Sequence, residues 1–310
     1  MIKKRFISML VLLAAVATGA MAQTTYKVSV KEGTEDANKW EIAPAEATTT
    51  GVAAGTEVKA TYSGTKKVKS VKAVKKAAAS TTLDNTTTAW TAGSYAVPTG
   101  GLTYSDAITV SGDVTLTLTD GQTLTLNKGI SLAAGATLTV EGNGAMVVNG
   151  TNNSTASTVA GTGTLVLTSG TLTATGGNGG SVGYGAYESH GGNGGDAING
   201  SVTVSGGTLT ATGGNGGGVG DYAYDSHGGN GGDAISGTLT INGGTLTARG
   251  GNGGGVGEWA ISCSGGNGGD AINGTLTKNG GSTSVNDGSN GSIGSWCDGC
   301  TAGTGGKGHN

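Results

Sequence analysis

The chain has 310 residues, of which 65 are Gly, one is Phe and two are Pro, and its formal net charge is −3. This charge argues against a nucleic-acid partner, because phosphates require a basic surface. Glycine at this level without a G-X-Y period excludes collagen. So few large apolar residues would favour flexible disorder, but the ordered repeats described below argue against it.

The first 22 residues have the pattern of a secretory signal peptide. Lys3, Lys4 and Arg5 precede an apolar core over residues 6–16, and Ala20-Met21-Ala22 forms a small-x-small cleavage site. No later apolar run approaches the roughly 18–20 residues that a membrane span needs. We therefore expect an exported, soluble chain, cleaved near Ala22 and without a membrane span.

Residues 23–76 differ from all that follows. "TYKVSVKE" and "TEVKATYSG" alternate polar and apolar residues, which predicts half-buried strands of a small β-rich, immunoglobulin-like or sandwich-like module. The segment resembles the small β-rich modules that precede repeat regions in bacterial surface proteins. Its lysines could contact an anionic surface, or could be solvated charges that guard an edge strand. Residues 77–89 have no periodicity and are interpreted as a linker.

Short strands with turn residues between them fill residues 90–162, and a 37-residue repeat follows. "GTLVLTSGTLTATGGNGG" begins at Gly163, and related segments begin at Gly200, Gly237 and Gly274. We divide the repeats into residues 163–199, 200–236, 237–273 and 274–310. The first strands are interpreted as irregular first coils that lead into these copies.

The repeat predicts an all-β chain in which residues 90–310 form a right-handed parallel β-helix or a related β-solenoid. Apolar columns recur at the 37-residue period, and are expected to face inward: Leu165, Val202, Leu239 and Leu276; Leu167, Val204, Ile241 and Lys278; Leu172, Leu209, Leu246 and Thr283; Ala174, Ala211, Ala248 and Val285. Lys278 and Thr283 interrupt two columns, so the fourth copy is predicted to be a C-terminal cap.

Each copy also carries a long loop between two GGNGG segments. Tyr222, Trp259 and Trp296 share one loop position, and Tyr187 and Tyr224 share another. Aromatic rings beside amides and carboxylates are typical of surfaces that stack on sugars, but the rings could instead stack on one another and order the loops. Tandem "VSGGTLTATGG" repeats resemble those of exported glycine-rich bacterial proteins of the carbohydrate-binding or adhesin-like kind, which implies a glycan ligand.

Two metal hypotheses arise from the same loops. Glu188, His190, Asp225 and His227 combine two imidazoles with two carboxylates, a set that could hold zinc or a similar ion. "GGNGGDAIN" resembles the nonapeptide of calcium-binding RTX rolls, and places Asp196, Asp233 and Asp270 at one position. These carboxylates could bind calcium, or could accept backbone hydrogen bonds as turn residues. Lys307 follows in the same column and could pair with Asp270.

The three cysteines allow one more prediction. Cys263 and Cys300 occupy the same position in successive copies, which predicts a disulfide between them in an exported protein, with Cys297 left over. The repeats contain only Arg249, Lys278 and Lys307 as basic residues, so no catalytic constellation is evident, and we expect no enzyme and no cofactor beyond calcium. The sequence favours a non-enzymatic surface or matrix protein that contacts a glycan or cell-surface component. The alternatives are a purely structural spacer, a calcium-stabilised roll of the RTX kind and, least favoured, a polysaccharide-cleaving enzyme. Its oligomeric state is left open.

Overall fold

The computed structural model describes residues 80–307 in full and, before them, the backbone of five short strands. The chain divides into two compact units, Met1–Ser80 and Thr81–Asn310. The described residues form strands, turns and bends and contain no helix, so the chain is all-β within these limits. Accordingly, the described part holds no long apolar helix that could cross a membrane. The predicted signal peptide lies outside the described residues.

The first unit contains antiparallel strands. They are β1 (Thr25–Val28), β2 (Trp40–Ala43), β3 (Val52–Ala53), β4 (Lys59–Tyr62) and β5 (Ala73–Lys75). β1 lies between β3 and β5, and β2 pairs with β4. Antiparallel pairing of short strands agrees with the prediction of a β-rich module.

The second unit is built from parallel strands only. They are β6 (Thr81–Thr82), β7 (Ala89–Ala96), β8 (Leu102–Tyr104), β9 (Ile108–Leu118), β10 (Thr123–Leu126), β11 (Ile130–Leu132), β12 (Thr137–Gly142), β13 (Ala145–Asn149), β14 (Val159–Gly161), β15 (Thr164–Leu167), β16 (Thr171–Thr175), β17 (Ile198–Val204), β18 (Thr208–Thr212), β19 (Ile235–Ile241), β20 (Thr245–Arg249), β21 (Ile272–Lys278) and β22 (Ser282–Asn286). One seven-stranded sheet runs in the order β22-β20-β18-β16-β13-β10-β8, and the remaining strands form a second sheet.

The spacing between paired strands grows along the chain. Leu102 pairs with Leu124, and Leu124 pairs with Met146, each 22 residues further on. Met146 then pairs with Leu172, and from Leu172 to Leu209 the offset is 37 residues. The residues before 163 therefore stack like the repeats but lack the long loop. Parallel stacking at a fixed offset is compatible with a β-solenoid.

The predicted apolar columns form the core and are confirmed by burial. The members in the first three copies, including Leu172, Leu209 and Leu246, are at most 2% exposed. The alternate threonines of the same strands point outward, as in Thr171, Thr208 and Thr245. Each buried Leu, Val or Ile stabilises the fold by roughly 1.5–3 kcal/mol, so the stack depends on its inward columns.

The fourth copy pairs in register but does not bury its strands. Leu239 pairs with Leu276 and Ile241 with Lys278, so the repeat alignment holds to the end of β21. Lys278 is exposed, and Val285 is 39% exposed, because no further strand covers this copy among the described residues. That this copy is a cap stays a prediction.

The other end of the stack begins earlier than predicted. β6 pairs with β7, Leu83 is buried, and Asp84 accepts hydrogen bonds from the backbone of Thr86 and Thr87. The linker predicted over residues 77–89 therefore overlaps the second unit from Thr81 onward. Low sequence complexity hid this, because the segment orders itself through pairing with β7 rather than through its own periodicity.

Aromatic residues fill the core at this end. Trp90 is fully buried, stacks on Tyr95 with ring centroids 6.1 Å apart, and meets the ring of Tyr104 edge to face. The Tyr104 hydroxyl donates to the carbonyl of Asp84. Burial raises the pKa of Tyr104. Large aromatic rings therefore fill the core of the first coil.

Candidate functional site

The long loop of each copy joins two strands, and in the first copy it spans residues 176–197 between β16 and β17. Its two GGNGG segments hydrogen-bond through their backbones. Gly195 N–H donates to Gly177 O at 2.8 Å, and Gly214 N–H of the next copy donates to Gly195 O at 2.9 Å. A Cβ on Gly213 would lie 1.9 Å from the carbonyl oxygen of Gly232. Only glycine allows the two segments to pack this closely.

The asparagine of each GGNGG segment forms a ladder from copy to copy. Asn178 Oδ1 accepts the N–H of Asn215 at 2.8 Å, and Asn215 Oδ1 accepts the N–H of Asn252 at 2.8 Å. We call this row, with Asn152 and Ser289 at its ends, the first amide row. In the second amide row, Asn193, Asn230, Asn267 and Thr304 are joined in the same way at 2.8–2.9 Å. These bonds satisfy the backbone N–H groups of the asparagines, which the hydrogen bonds between glycines do not.

The three aspartates of the nonapeptide form a third ladder of this kind. Asp196 Oδ1 accepts the N–H of Asp233 at 2.8 Å, and Asp233 Oδ1 accepts the N–H of Asp270 at 2.7 Å. The second oxygen of Asp233 accepts from the Asn273 amide. Burial, with a contribution from the charge of Asp233, raises the pKa of Asp196. Each of these aspartates thus accepts a backbone hydrogen bond, as the second alternative expected, but from the following copy, 37 residues further on, and not from its own turn.

Calcium would have to take most of its oxygen ligands from elsewhere. It requires about six to eight oxygens, while one oxygen of each aspartate already accepts a backbone hydrogen bond. Lys307 closes the ladder with its backbone N–H on Asp270. The predicted pairing through its ammonium group is wrong, since no ion pair joins the two residues in the described part of the chain. The calcium hypothesis itself stays a prediction.

A second, small core lies inside the stacked loops. Val219, Ala223, Val256, Ala260 and Cys263 are buried in it, and the equivalent residues of the outer copies pack against them. This inward column in the loop was not predicted, although its period in "SVGYGAYES" and "GVGDYAYDS" is visible in the sequence. The small core holds the loop in register, so the exposed side chains between its members recur at fixed positions.

The cysteines belong to this small core and are free thiols. The N–H of Ser226 donates to Cys263 Sγ at 3.4 Å, and the N–H of Cys263 donates to Cys300 Sγ at 3.2 Å. The position shared by Cys263 and Cys300 is therefore as predicted, but their disulfide is absent. The sulfur atoms of Cys263 and Cys300 thus accept a backbone N–H at the position where the Ser226 hydroxyl oxygen accepts the N–H of Ser189. Burial raises the pKa of the Cys300 thiol, which lowers the fraction of thiolate available for oxidation.

Exposed aromatic rings form a column along the loops. The ring of Tyr222 lies 6.2 Å from that of Trp259, which lies 5.5 Å from that of Trp296, with interplanar angles of 11° and 13°. Tyr184 adds a fourth ring, 5.2 Å from Tyr222 and tilted by 45°. The sequence alignment missed Tyr184 because Gly185, not Tyr184, is 37 residues before Tyr222. We call these four residues the aromatic column.

The backbone at the aromatic column is unfavourable for large side chains. Tyr222, Trp259 and Trp296 have φ values of 58°, 59° and 61°, where the first copy has Gly185 at 66°. Bulky residues rarely adopt this region. The side chains are not held there by burial, because Trp259 is 47% exposed and Trp296 is 75% exposed. Stacking between the rings is the contact that offsets the strain.

The remaining predicted residues form two shorter stacks. The rings of Tyr187 and Tyr224 lie 5.4 Å apart at 6°, and those of His190 and His227 lie 5.0 Å apart at 18°. The third copy continues these positions with Ile261 and with Ser264, whose Oγ is 2.6 Å from His227 Nδ1.

The histidines do not form a metal site with the nearby acids. Stacked imidazoles point in the same direction and do not converge on one ion. Among the residues that the structure describes, no group of three or more His, Cys, Asp or Glu side chains could hold a metal. The structure therefore does not assemble Glu188, His190, Asp225 and His227 into the transition-metal site that the sequence suggested.

A shallow groove runs along the stack beside the histidines. Its cavity has a volume of about 770 Å³ and is lined by His190 and His227, by the three asparagines of the second amide row, by Ser264 and Thr301, and by glycine backbone. No lysine, arginine, aspartate or glutamate lines it. A smaller cavity of about 400 Å³ lies along the first amide row and is lined also by Arg249.

Comparisons with known proteins find no relative for this chain. No family model matches it, and neither the curated proteins nor the solved structures contain a match. The function is therefore inferred from the aromatic column and from the grooves beside the amide rows.

Proposed function

We propose that the chain is an exported, non-enzymatic surface or matrix protein of adhesin-like character, whose second unit is a right-handed β-solenoid that presents stacked loops to a glycan. The observation that carries the proposal is the aromatic column, which keeps large exposed rings at a position where the backbone favours glycine. Aromatic faces offer large contact areas to the C–H surfaces of sugars.

Of the two end rings of the column, Tyr184 and Trp296, the larger indole of Trp296 is the better platform for a sugar. Tyr222 and Trp259 have neighbouring rings on both sides, at distances of 5.2–6.2 Å, which leave no room for a sugar between them. Trp296 stacks on Trp259 with one face, and is 75% exposed. Its other face is covered by no ring in the described part of the chain. A sugar would therefore bind on Trp296, supported by the column behind it.

A structural spacer is the second candidate, favoured by the same stacking. Rings that cover each other order the loops without any ligand, and aromatic pairs contribute about 0.5–1.5 kcal/mol each beyond their burial. In that case the column stabilises the loops, and Trp296 is only its last member.

A glycan array with two matched variants separates these candidates. Trp296→Gly removes the free ring face, while Tyr222→Gly removes a covered ring and leaves the backbone that Gly185 has in the first copy. We expect the wild type and Tyr222→Gly to bind the same glycans, and Trp296→Gly to lose binding. Absence of glycan binding by the wild type would support the spacer, whereas equal loss in both variants would reject Trp296 as the platform.

A further inference from the structure

The groove beside the histidines offers hydrogen-bond donors in a regular row. Asn193, Asn230 and Asn267 use their Oδ1 atoms to accept the N–H of the next copy. Each amide is thereby fixed in orientation, because exchanging its oxygen and nitrogen would break the ladder. Within the described residues the Nδ2 groups of these three side chains donate to no protein acceptor. They are exposed at the groove.

The row of donors repeats with the stack. Parallel strands lie about 4.8 Å apart, so three Nδ2 groups extend over about 10 Å along the groove. A second row of polar side chains lines the same groove. It consists of His190 and His227, followed in the next two copies by Ser264 and Thr301. A ligand that uses all of them must itself be extended and must present an acceptor at each step.

The floor and the charge of the groove restrict the ligand further. Its floor consists of glycine backbone, including Gly192, Gly228 and Gly265, so a flat ring can approach closely. The lining holds no lysine, arginine or carboxylate side chain, which disfavours ligands that carry several phosphate or carboxylate groups. Hydroxyl oxygens are neutral acceptors and donors that suit amides and imidazoles.

We propose that this groove binds a linear, uncharged, hydroxyl-rich polysaccharide, which lies along the stack and receives one amide hydrogen bond from each copy. The inference rests on the proposed glycan function and adds a second contact surface, the second amide row, to the aromatic column. It also gives the ligand class, which the aromatic column does not restrict.

The test replaces one donor without breaking the ladder. Asn230→Asp keeps an oxygen to accept the N–H of Asn267, but replaces the Nδ2 donor by a carboxylate oxygen. Asn215→Asp makes the same change in the first amide row, outside this groove. Binding of neutral linear oligosaccharides of one to six units is measured by calorimetry for the wild type, both variants and Trp296→Gly. Thermal unfolding of each confirms that it is folded.

We expect affinity to rise with oligosaccharide length over the first few units, and Asn230→Asp to weaken binding about 5- to 10-fold, as for one lost hydrogen bond. Asn215→Asp should leave it unchanged. Equal effects of the two Asp variants, or preference for charged glycans, would overturn the groove assignment. If Trp296→Gly loses binding and Asn230→Asp does not, the proposed function is retained and the groove is rejected. If Asn230→Asp loses binding and Trp296→Gly does not, the groove is retained and Trp296 is rejected as the platform. No binding by the wild type would reject both.

Discussion

Single residues in the loops are held in conformations that they would not adopt alone. A left-handed backbone costs a residue with a side chain roughly 1–2 kcal/mol, and Trp259 and Trp296 both have this conformation. A stacked aromatic pair contributes about 0.5–1.5 kcal/mol. The two effects are of similar size, so the aromatic column is marginal and depends on each neighbour. The first copy avoids the cost by placing Gly185 at the strained position and the ring on Tyr184.

The glycine packing gives a matched pair of substitutions. In Gly213→Ala the new Cβ would lie 1.9 Å from Gly232 O, whereas at Gly183 there is nothing within 4 Å. We expect Gly213→Ala to lower the free energy of unfolding by about 3 kcal/mol or more, since the backbone cannot move aside. Gly183→Ala should change it by less than about 0.5 kcal/mol. Denaturant unfolding measures both, and similar values would contradict the close packing.

The raised pKa of Asp196 predicts a pH effect. Its pKa is raised above the usual 3.8, mainly by burial, so the folded chain binds this proton more tightly than the unfolded chain. Its contribution to stability therefore decreases as the pH rises through the range above about 3.8, and remains unfavourable at neutral pH. Asp196→Asn keeps the acceptor for Asp233 N–H without the charge. We expect the variant to be at least as stable as the wild type at pH 7, with the difference vanishing near pH 3.

Asp221→Asn is the control for this variant. Asp221 is exposed and accepts the N–H of Glu258 at 2.8 Å, so it makes the same bond without the burial. Its substitution should change the free energy of unfolding at pH 7 by less than about 0.5 kcal/mol. A destabilised Asp196→Asn at pH 7 would show that the charged carboxylate is favourable in the ladder.

At the scale of elements, the fourth copy departs from the repeat at several positions. The amide rows end in Ser289 and Thr304, the aspartate ladder ends in Lys307, and Lys278 and Thr283 replace apolar members of the core columns. The hydroxyl of Thr304 donates a hydrogen bond to Asn267 Oδ1 at 2.9 Å. The fourth copy therefore offers a further strand fewer apolar side chains and fewer hydrogen-bond acceptors than the first three copies do. This difference protects an exposed sheet edge from pairing with another chain.

Restoring the core residues should remove this protection. Lys278→Ile with Thr283→Leu recreates the side chains of Ile241 and Leu246 on an uncovered copy. Since each apolar side chain gains roughly 1.5–3 kcal/mol on burial, we expect concentration-dependent association in sedimentation experiments. Lys278→Arg with Thr283→Ser is the control and should behave as the wild type. A double Ile/Leu variant with unchanged sedimentation would show that the edge is protected by other features.

The sequence predicted the elements that depend on side-chain periodicity. The four apolar columns and the position shared by Cys263 and Cys300 followed from the 37-residue offset. Tyr184 could not be found in this way, because it joins the aromatic column from a neighbouring position. The glycine network was equally hidden, since a glycine backbone that bonds on both sides leaves no pattern of apolar and polar residues. The segment from Thr81 to Thr88 was missed because its order comes from pairing with β7 and from the hydrogen bond that the Tyr104 hydroxyl donates to the Asp84 carbonyl.

At the scale of the whole second unit, each copy contacts mainly its neighbours, as in other repeat arrays. The ladders therefore depend on the sequence of adjacent copies and not on their number. Deleting residues 200–236 would bring Asn178 against Asn252 and Leu172 against Leu246, with every ladder intact. We expect this shortened chain to fold with a similar unfolding midpoint. Deleting residues 200–218 instead, half a repeat, should prevent cooperative unfolding, and circular dichroism against temperature compares the two.

The amide and aspartate ladders have a direction, because a side-chain oxygen of each copy accepts the N–H of the copy that follows it. A chain that appears amino end first would thus always find acceptors already in place for the next copy to arrive. Folding could advance one repeat at a time as the chain emerges. At these positions the backbone N–H groups of each folded repeat would be satisfied by the repeat before it, without any later repeat. The order of synthesis and the order of bonding would coincide.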